Sequence, residues 1–323
     1  MKILLAQPRG FCAGVDRAIA IVEEALNLYG APVYVRHEIV HNKYVVDDLR
    51  SRGAVFVEEL SDIPDGGITV FSAHGVSEAV ENEAKRRNLP AIDATCPLVT
   101  KVHIQAQRAE KQGKDIILIG HEGHPEVEGT SGRVERGVFL VQDVESARTL
   151  QVPDPERLSF VTQTTLSVND TKDIIAVLKE RFPAITGPGT KDICYATQNR
   201  QDAIEDLADR VDVLLVVGSK NSSNSNRLRD LGVDKGIPSW LVDDASAIDI
   251  GWLKGANTIG ISAGASAPDV LVQGVVEFLK EYDSTATVEL MDGITEDLHF
   301  KLPKQVREPV YANRKQNAVL DGS

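Results

Sequence analysis

The chain has 323 residues, of which 42% are hydrophobic, and it carries a formal net charge of −13 at pH 7. The apolar content is sufficient for buried cores, whereas the negative charge argues against a general binder of nucleic acid or of anionic membranes. No run approaches about 18 apolar residues, and the N-terminal apolar stretch is too short for a signal peptide, so we expect a soluble cytoplasmic protein.

Apolar runs typical of buried strands alternate with amphipathic helical patterns along most of the chain. The strands are predicted at 3–7, 33–36, 68–72, 91–93, 115–119, 159–162, 212–217 and 258–261. The helices are predicted near 14–28, 43–51, 78–87, 97–112, 169–181, 199–209, 223–230 and 269–281. This alternation indicates an α/β fold with mainly parallel sheets that are covered by helices.

The alternation has three parts, each with a cysteine turn and further polar turns between a strand and a helix. We predict three α/β units at 13–95, 96–190 and 191–281, and we expect residues 1–12 to join the third unit as a strand. Residues 282–323 form a C-terminal segment and tail, which are predicted to be irregular and partly disordered at the end.

The three cysteines of the chain, Cys12, Cys96 and Cys194, each lie where a strand-like run ends and a helical pattern begins. Their odd number disfavours a disulfide framework, and reduced thiols suit a cytoplasmic protein. We interpret them as three sulfurs brought to one point, which leaves the fourth position of a metal or of a cluster iron open. The alternative is that all three are buried thiols that act as small hydrophobic side chains.

Further polar residues follow the carboxyl ends of the predicted strands, where open parallel sheets bind their ligands. The helix N-termini at these turns present free N–H groups to an anion. His41, His74 and His124 each follow a strand and can donate hydrogen bonds to phosphate oxygens, although each alone is also typical of a surface or capping histidine. The pattern predicts a phosphate or diphosphate ligand on an acidic protein.

Hydroxyl and amide side chains follow two other strands. Ser222, Ser223 and Asn224 suit phosphate oxygens, but they are also ordinary helix-capping residues, and Ser266 has the same two interpretations. No GxGxxG turn follows a strand and no GxxxxGK[ST] sequence occurs, which disfavours a nicotinamide cofactor or bound ATP.

Glu126 is the candidate for proton chemistry, because it follows His124 and Pro125 in a turn flanked by glycines. The alternative for this residue is a solvated surface carboxylate, which is the usual state of a glutamate. Thr164 and Thr165 lie in another turn at a strand end, so the sequence is compatible with a hydroxyl relay between a carboxylate and a substrate oxygen.

The turns also carry the motifs GFCAGVDRAI, DATCPLV, GHEGHPEVEGT, TQTTLS, ICYATQNRQ, GSKNSSNSNRL and SAGASAP. In this order they resemble the motifs of the 4-hydroxy-3-methylbut-2-enyl diphosphate reductases, the LytB/IspH family. The match runs from about residue 1 to about residue 305, and the tail beyond about 308 carries no motif of the family. The resemblance implies a trefoil of three α/β domains around a central cavity.

By this resemblance, Cys12, Cys96 and Cys194 each bind one iron of a [4Fe–4S] cluster, one cluster per chain, whose fourth iron is open to substrate. The positions that match the diphosphate-binding residues of the family are His41, His74, His124, Ser222, Ser223, Asn224 and Ser266. The resemblance therefore implies a substrate with a diphosphate group beside an iron–sulfur cluster.

The same resemblance implies the catalytic group. Glu126 matches the proton donor and Thr165 matches its relay partner near the substrate hydroxyl, with His124 beside them. Thr164 and Gln163 match the surrounding polar wall, and Thr164 is counted with the substrate-binding residues. The segment near 301–303 resembles the C-terminal segment of the family.

The implied reaction is the reductive dehydration of (E)-4-hydroxy-3-methylbut-2-enyl diphosphate to isopentenyl diphosphate and dimethylallyl diphosphate, the final step of the non-mevalonate isoprenoid pathway. Three thiols cannot hold a second all-cysteine cluster, so electrons must come from a partner, by resemblance a ferredoxin or a flavodoxin. Basic residues within 301–315 are a candidate contact for this partner. Two rival hypotheses are a cysteine-ligated catalytic zinc enzyme acting on a phosphorylated substrate and a non-enzymatic iron–sulfur sensor or carrier.

Overall fold

The computed structural model describes residues 1–307, which form three separate β-sheets with helices between their strands. Within these residues the strands are β1 (Lys2–Leu5), β2 (Val33–Arg36), β3 (Ala54–Val57), β4 (Thr69–Phe71), β5 (Ala91–Asp93), β6 (Asp115–Ile119), β7 (Val138–Val141), β8 (Leu158–Thr162), β9 (Val213–Val217), β10 (Ser239–Val242), β11 (Thr258–Ala263) and β12 (Thr287–Leu290). The helices are α1 (Ala13–Tyr29), α2 (Lys43–Ser51), α3 (Glu78–Arg86), α4 (Pro97–Lys111), α5 (Pro125–Ser131), α6 (Val144–Thr149), α7 (Val168–Arg181), α8 (Tyr195–Ala208), α9 (Ser223–Asp234), α10 (Asp269–Tyr282) and α11 (Lys304–Arg307).

Every pairing between these strands is parallel. The strand orders are β3-β2-β4-β5 in the first sheet, β7-β6-β8 in the second and β10-β9-β11-β1-β12 in the third. The prediction of an α/β fold built on parallel sheets is therefore confirmed. Strand β1 lies between β11 and β12 in the third sheet, while the boundaries assigned to the three units stay a prediction.

The central strands are continuous apolar runs because helices cover both faces of each sheet. All five residues of β9, with the sequence VLLVV, are buried, and in β6 only the first residue is partly exposed. The cores of the third sheet, such as the one around Leu215, Ile261 and Val275, lie between these strands and the helices. Among the described residues, we find no helix with both the length and the apolar character needed to cross a membrane.

Four strands that the sequence analysis missed, β3, β7, β10 and β12, all lie at sheet edges. Strand β12 is fully exposed, so no buried apolar pattern marks it, whereas β3 and β7 are short apolar segments of four residues each. The prediction of an irregular segment after residue 282 is therefore wrong at 287–290, which pairs with β1, and at 304–307, which is helical. The predicted disorder at the end of the tail lies outside the described residues.

Candidate functional site

A cavity between the three sheets is lined by every residue that the sequence analysis assigned to the site. Its volume is about 110 Å³, which is below the usual range for ligand pockets, and it adjoins an open cleft of about 550 Å³. The two spaces share His41, His124, Thr165 and Ser223. The assigned residues that line the cavity are Cys12, His41, His74, Cys96, His124, Glu126, Thr164, Thr165, Cys194, Ser222, Ser223, Asn224 and Ser266.

The three cysteines hold equivalent positions, since each is the N-cap residue of a helix, α1, α4 or α8. Each cysteine also donates its backbone N–H to a carbonyl oxygen in the turn after a neighbouring strand. These bonds are Cys12 to Ala265 at 3.3 Å, Cys96 to Ala73 at 3.0 Å and Cys194 to Thr164 at 3.0 Å. The bonds fasten each thiol beside a turn that carries another assigned residue.

The turn at Cys194 differs from the prediction in one respect. No strand lies immediately before Cys194. The segment before it contributes a single isolated parallel bridge, between Thr186 and Ser159. Helix α8 begins at Tyr195, immediately after the cysteine, rather than at 199 as predicted. A strand is not needed here, because the bond from Cys194 to the Thr164 carbonyl attaches the turn directly to the end of β8.

The environment of the thiols opposes their ionisation unless a positive charge is present. Burial raises the pKa of Cys96 to about 12 and that of Cys194 to about 11, and it also raises the pKa of Cys12. Backbone N–H groups in the first turn of each helix act in the opposite direction, and the Thr197 N–H lies 3.3 Å from the Cys194 sulfur. Buried thiolates of this kind are stabilised by a metal that they ligate.

Gly14 lies close to two of the thiols. A Cβ atom on Gly14 would lie 2.7 Å from the Cys96 sulfur and 3.8 Å from the Cys12 sulfur, so any side chain at this position would displace the Cys96 sulfur. Within residues 1–307, no three side chains of the ligand types His, Cys, Asp and Glu converge closely enough to hold a single metal ion. The three sulfurs line one cavity from three sheets, and the donor set suits an iron–sulfur cluster.

Three histidine rings pack together in the cavity wall. The rings of His41 and His74 stack with a centroid distance of 4.2 Å, and the ring of His124 meets them edge-on at 5.6 and 5.8 Å. Burial lowers the pKa of His124 to about 3 and lowers that of His74 well below its usual value. His124 Nδ1 accepts the Glu126 N–H at 3.1 Å, so the neutral ring carries its proton on Nε2 and can donate it to a ligand.

His41 is paired differently, since its Nδ1 lies 3.2 Å from a carboxylate oxygen of Glu38. The hydrogen bond with His41 holds the pKa of the Glu38 carboxyl below its usual value. Nε2 of His41 is buried and has no hydrogen-bond partner among the described residues. With the carboxylate on one side of the ring, Nε2 is the nitrogen that remains for a ligand.

Among the hydroxyl and amide side chains, those of Ser222 and Asn224 have free hydrogen-bonding groups for a ligand. Ser222 Oγ caps α9 and accepts two bonds from Ser225, one from its N–H at 3.2 Å and one from its hydroxyl at 2.9 Å, so its own proton is free to be donated. Both polar side-chain atoms of Asn224 are buried without a partner in the part of the chain that is described. Ser266 Oγ donates to the His41 carbonyl at 2.9 Å. Buried amides without partners indicate a missing polar ligand.

The carboxylate of Glu126 is buried, with only 3% of the residue exposed, so the alternative of a solvated surface carboxylate is wrong. Thr164 donates to it twice, from its N–H at 2.7 Å and from its hydroxyl at 2.9 Å. Burial raises the pKa of Glu126 to about 7, although the two bonds from Thr164 act in the opposite direction. A carboxyl with this pKa is partly protonated at neutral pH and suits a general acid.

The hydroxyl partner of Glu126 is therefore Thr164, whereas the sequence analysis assigned the relay to Thr165. The Thr165 hydroxyl accepts a bond from the Gln163 amide at 2.8 Å, and the Thr165 carbonyl accepts the Ser223 hydroxyl at 3.3 Å. Consecutive residues at the end of a strand point in different directions, so neighbouring threonines cannot share one partner. Thr165 still lines both the cavity and the cleft.

The sequence analysis missed Arg200, a fully buried residue of α8. Its guanidinium donates to the carbonyl oxygens of Gly10 and Phe11, next to Cys12, and forms an ion pair with Glu296 at 3.0 Å. Burial raises the pKa of Cys12, and the positive charge of Arg200 opposes this shift. The sequence signal that could have identified Arg200 is its position among the apolar residues of a helix that begins at a cysteine turn.

Comparisons with known proteins agree with these motifs. A sequence model described as LytB protein matches residues 3–280. A protein of Mannheimia succiniciproducens named 4-hydroxy-3-methylbut-2-enyl diphosphate reductase is 60% identical over 310 residues, which cover 95% of this chain and 98% of that protein. A protein of the same name from Azoarcus sp. is 59% identical over 307 residues, again 95% of this chain and 98% of that protein.

Two solved structures resemble the fold. One is the E-1-hydroxy-2-methyl-but-2-enyl-4-diphosphate reductase from Plasmodium falciparum, with a TM-score of 0.92 and 40% sequence identity over 98% of this chain and 99% of that one. The other is an (E)-4-hydroxy-3-methyl-but-2-enyl diphosphate reductase described as the terminal enzyme of the non-mevalonate pathway, with a TM-score of 0.62 and 32% identity over 87% of this chain and 99% of that one. The arrangement of the three sheets is thus shared with solved proteins.

Proposed function

The chain belongs to the LytB protein family, and we propose on that basis that it catalyses the reductive dehydration of (E)-4-hydroxy-3-methylbut-2-enyl diphosphate. The products are isopentenyl diphosphate and dimethylallyl diphosphate, and the reaction is the last step of the non-mevalonate pathway. The observation that carries the proposal is the convergence of three thiols, three histidines, a buried carboxyl and six hydroxyl or amide residues on one cavity.

The reaction consumes two electrons and two protons for each substrate. The bond between the allylic carbon and its hydroxyl oxygen breaks, one proton converts the leaving hydroxide into water, and the second proton forms a new C–H bond. Because the allylic group can be protonated at either end, two isomeric products result. The chain must therefore anchor the diphosphate, hold the hydroxyl in place and supply a proton at that oxygen.

Several groups are suited to anchor the diphosphate. His124 presents an Nε2–H, Ser222 has a free hydroxyl proton, and both polar atoms of the Asn224 side chain await partners. Helix α9 begins directly after Ser222, so its first N–H groups add a positive partial charge at the same place. These groups would orient the substrate and exclude water from its reacting end. We also assign His41, His74, Ser223 and Ser266 to the diphosphate site, because they line the same cavity.

Glu126 is the proposed proton donor to the leaving hydroxyl. Its pKa of about 7 makes the protonated form available at neutral pH, and the backbone and hydroxyl bonds from Thr164 fix the orientation of the carboxyl. Thr164 rather than Thr165 is the proposed partner in proton transfer, because its hydroxyl is the one in contact with the carboxylate.

We also propose that Cys12, Cys96 and Cys194 hold a [4Fe–4S] cluster, one per chain. When bound, such a cluster supplies an iron with an open position, which acts as a Lewis acid, and a store for electrons. The three helix N-termini and the space left by Gly14 support this assignment. Electrons would come from a ferredoxin or a flavodoxin, and we expect the enzyme to work in the cytoplasm.

Anaerobic purification followed by assay tests the proposal. We expect a brown protein with about four irons and four sulfides per chain, whose visible spectrum changes when the hydroxy-diphosphate is added. With a chemical reductant, both isomeric products and water should form. A colourless zinc protein that hydrolyses the substrate would favour the zinc hypothesis, and a brown protein that leaves the substrate intact would favour a sensor or carrier.

Replacing Thr164 by valine should shift the decrease of kcat at high pH to a higher pH. In the unmodified protein the Thr164 hydroxyl bond stabilises the ionised carboxylate. Its removal should therefore raise the pKa of Glu126 above about 7 and shift the decrease in kcat to higher pH by about one unit. Thr165→Val is the matched control, because its hydroxyl contacts Gln163 and not the carboxylate. If the decrease of kcat with pH shifted in the Thr165 variant but not in the Thr164 variant, Thr165 would be the relay residue.

A further inference from the structure

The solvent face of helix α4 carries a basic stripe, which we define as Lys101, Arg108 and Lys111 with the apolar Ile104 between them. All four side chains are exposed, and their spacing places them on one face of the helix. The one acidic residue of α4, Glu110, is only partly exposed, and its carboxylate accepts the backbone N–H of Arg136. On a chain with a net charge of −13, this stripe is a local region of opposite sign.

The basic stripe begins beside two of the cysteines. Helix α4 starts directly after Cys96, so Lys101 lies about 8 Å along the helix axis from that cysteine. The Lys101 ammonium contacts the carbonyl oxygen of Lys191 at 2.8 Å and a carboxylate oxygen of the buried Asp192 at 3.4 Å. Lys191 is itself exposed and precedes Cys194 by three positions, so a fourth cation adjoins the stripe at its cysteine end.

The outer cations of the stripe are available to a partner. Within the described part of the chain, neither Arg108 nor Lys111 has a carboxylate at ion-pair distance, whereas the nearby Arg136 is paired with Asp115 at 2.9 Å. Arg108 also lines a shallow groove of about 250 Å³, together with Pro188 and neighbouring residues. Two unpaired cations on one exposed helix face, one of which lines a groove, favour contact with a negatively charged protein surface.

We propose that the basic stripe is the docking surface for a small acidic protein that carries single electrons; this inference rests on the reductase function proposed above. The three thiols serve one site, so two electrons must enter from outside in each turnover, and the carrier is oxidised once in each of two transfers. An acidic carrier is repelled by most of this chain, and the stripe guides it to the end of α4 that adjoins the cysteines.

This surface differs from the candidate contact that the sequence suggested within 301–315. In the described part of that range, Lys301, Lys304 and Arg307 lie on the C-terminal segment, where the Lys301 carbonyl accepts a bond from Arg17 of α1. Residues 308–315 lie outside the described residues. The basic stripe is favoured because its residues lie along one face of a single helix and the first of them, Lys101, follows Cys96 by five positions.

The test is a double charge reversal, Arg108→Glu with Lys111→Glu, in the cluster-loaded enzyme. Both side chains are exposed and without ion pairs, so the fold should tolerate the change, and Lys101 is kept because it contacts the buried Asp192. The matched control reverses Lys235 and Lys254, two exposed lysines far from α4 in the sequence. The donor is a reduced, acidic [2Fe–2S] ferredoxin, compared with dithionite-reduced methyl viologen.

We expect the KM for the ferredoxin to rise about tenfold at low salt, with turnover on methyl viologen unchanged. The difference should disappear near 1 M salt, where the screening length is about 3 Å. An unchanged KM, an equal loss with both reductants, or a larger effect from Lys304→Glu with Arg307→Glu would each overturn the proposed docking surface. Failure of the unmodified enzyme with methyl viologen would instead contradict the proposed function.

Discussion

Replacing Glu126 by glutamine is expected to lower turnover by about 10²- to 10⁴-fold, which is the usual contribution of a positioned general acid. Glutamine has nearly the same size and can still accept the Thr164 N–H, but it has no acidic proton to give to the leaving hydroxyl. Cluster content and the change of the visible spectrum on substrate addition should be retained. The matched control is Glu128→Gln, since Glu128 is an exposed residue of the same helix.

The pH dependence follows from the raised pKa of Glu126. The protonated form is required, so kcat should fall as the pH rises through about 7, and the Glu126→Gln variant should lack this limb. Because the folded-state pKa is above the usual value of 4.5, the folded protein binds this proton more tightly than the unfolded chain. Stability should therefore decrease between pH 4.5 and 7, by about 3 kcal/mol for this group.

A stability measurement then separates the chemical role from a folding defect. Above pH 7 the buried carboxylate is charged, so the glutamine variant should unfold at the same or a higher denaturant concentration than the unmodified protein. Both measurements need the cluster-loaded protein under anaerobic conditions. A Glu126→Gln variant that keeps most of its turnover would show that another group donates the proton.

Replacing Cys96 by alanine is expected to abolish retention of the cluster. Cys96 lines the same cavity as Cys12 and Cys194, so its loss removes one of three ligands from a shared site. Iron and sulfide analysis and the visible spectrum after anaerobic reconstitution measure the effect. Far-UV circular dichroism should match that of the unmodified protein without its cluster, because the substitution removes a single sulfur atom from a small side chain. Normal iron and sulfide in this variant would refute the ligand assignment.

A glycine substitution tests the same site without removing a ligand. Gly14→Ala places a methyl group 2.7 Å from the Cys96 sulfur, so we expect cluster content to fall while all three thiols remain. Gly274→Ala is the matched control, since that helical position has nothing within 4 Å of a new Cβ and should gain about 1 kcal/mol of stability. Equal cluster content in the two variants would argue against a group between Cys12 and Cys96.

The sequence predicted the bounds of several strands, at both central and edge positions of the sheets. The bounds predicted for 33–36, 91–93 and 115–119 coincide with β2, β5 and β6. The strands that it missed, β3, β7, β10 and β12, lie at sheet edges, although the edge strands β5 and β8 were predicted. Each of the missed strands forms by pairing with a strand from another part of the chain, and the local sequence does not show which strand that is.

The same division applies to the site. The sequence by itself determined which chemical groups are present, because cysteines, histidines and hydroxyl residues stand out at the turns between strands and helices. Only the tertiary structure decided their partners: Thr164 rather than Thr165 contacts Glu126, and Arg200 reaches the turn before Cys12 from a distant helix. The direction of a side chain at a turn and contacts between remote segments depend on packing in three dimensions, which the order of residues does not show.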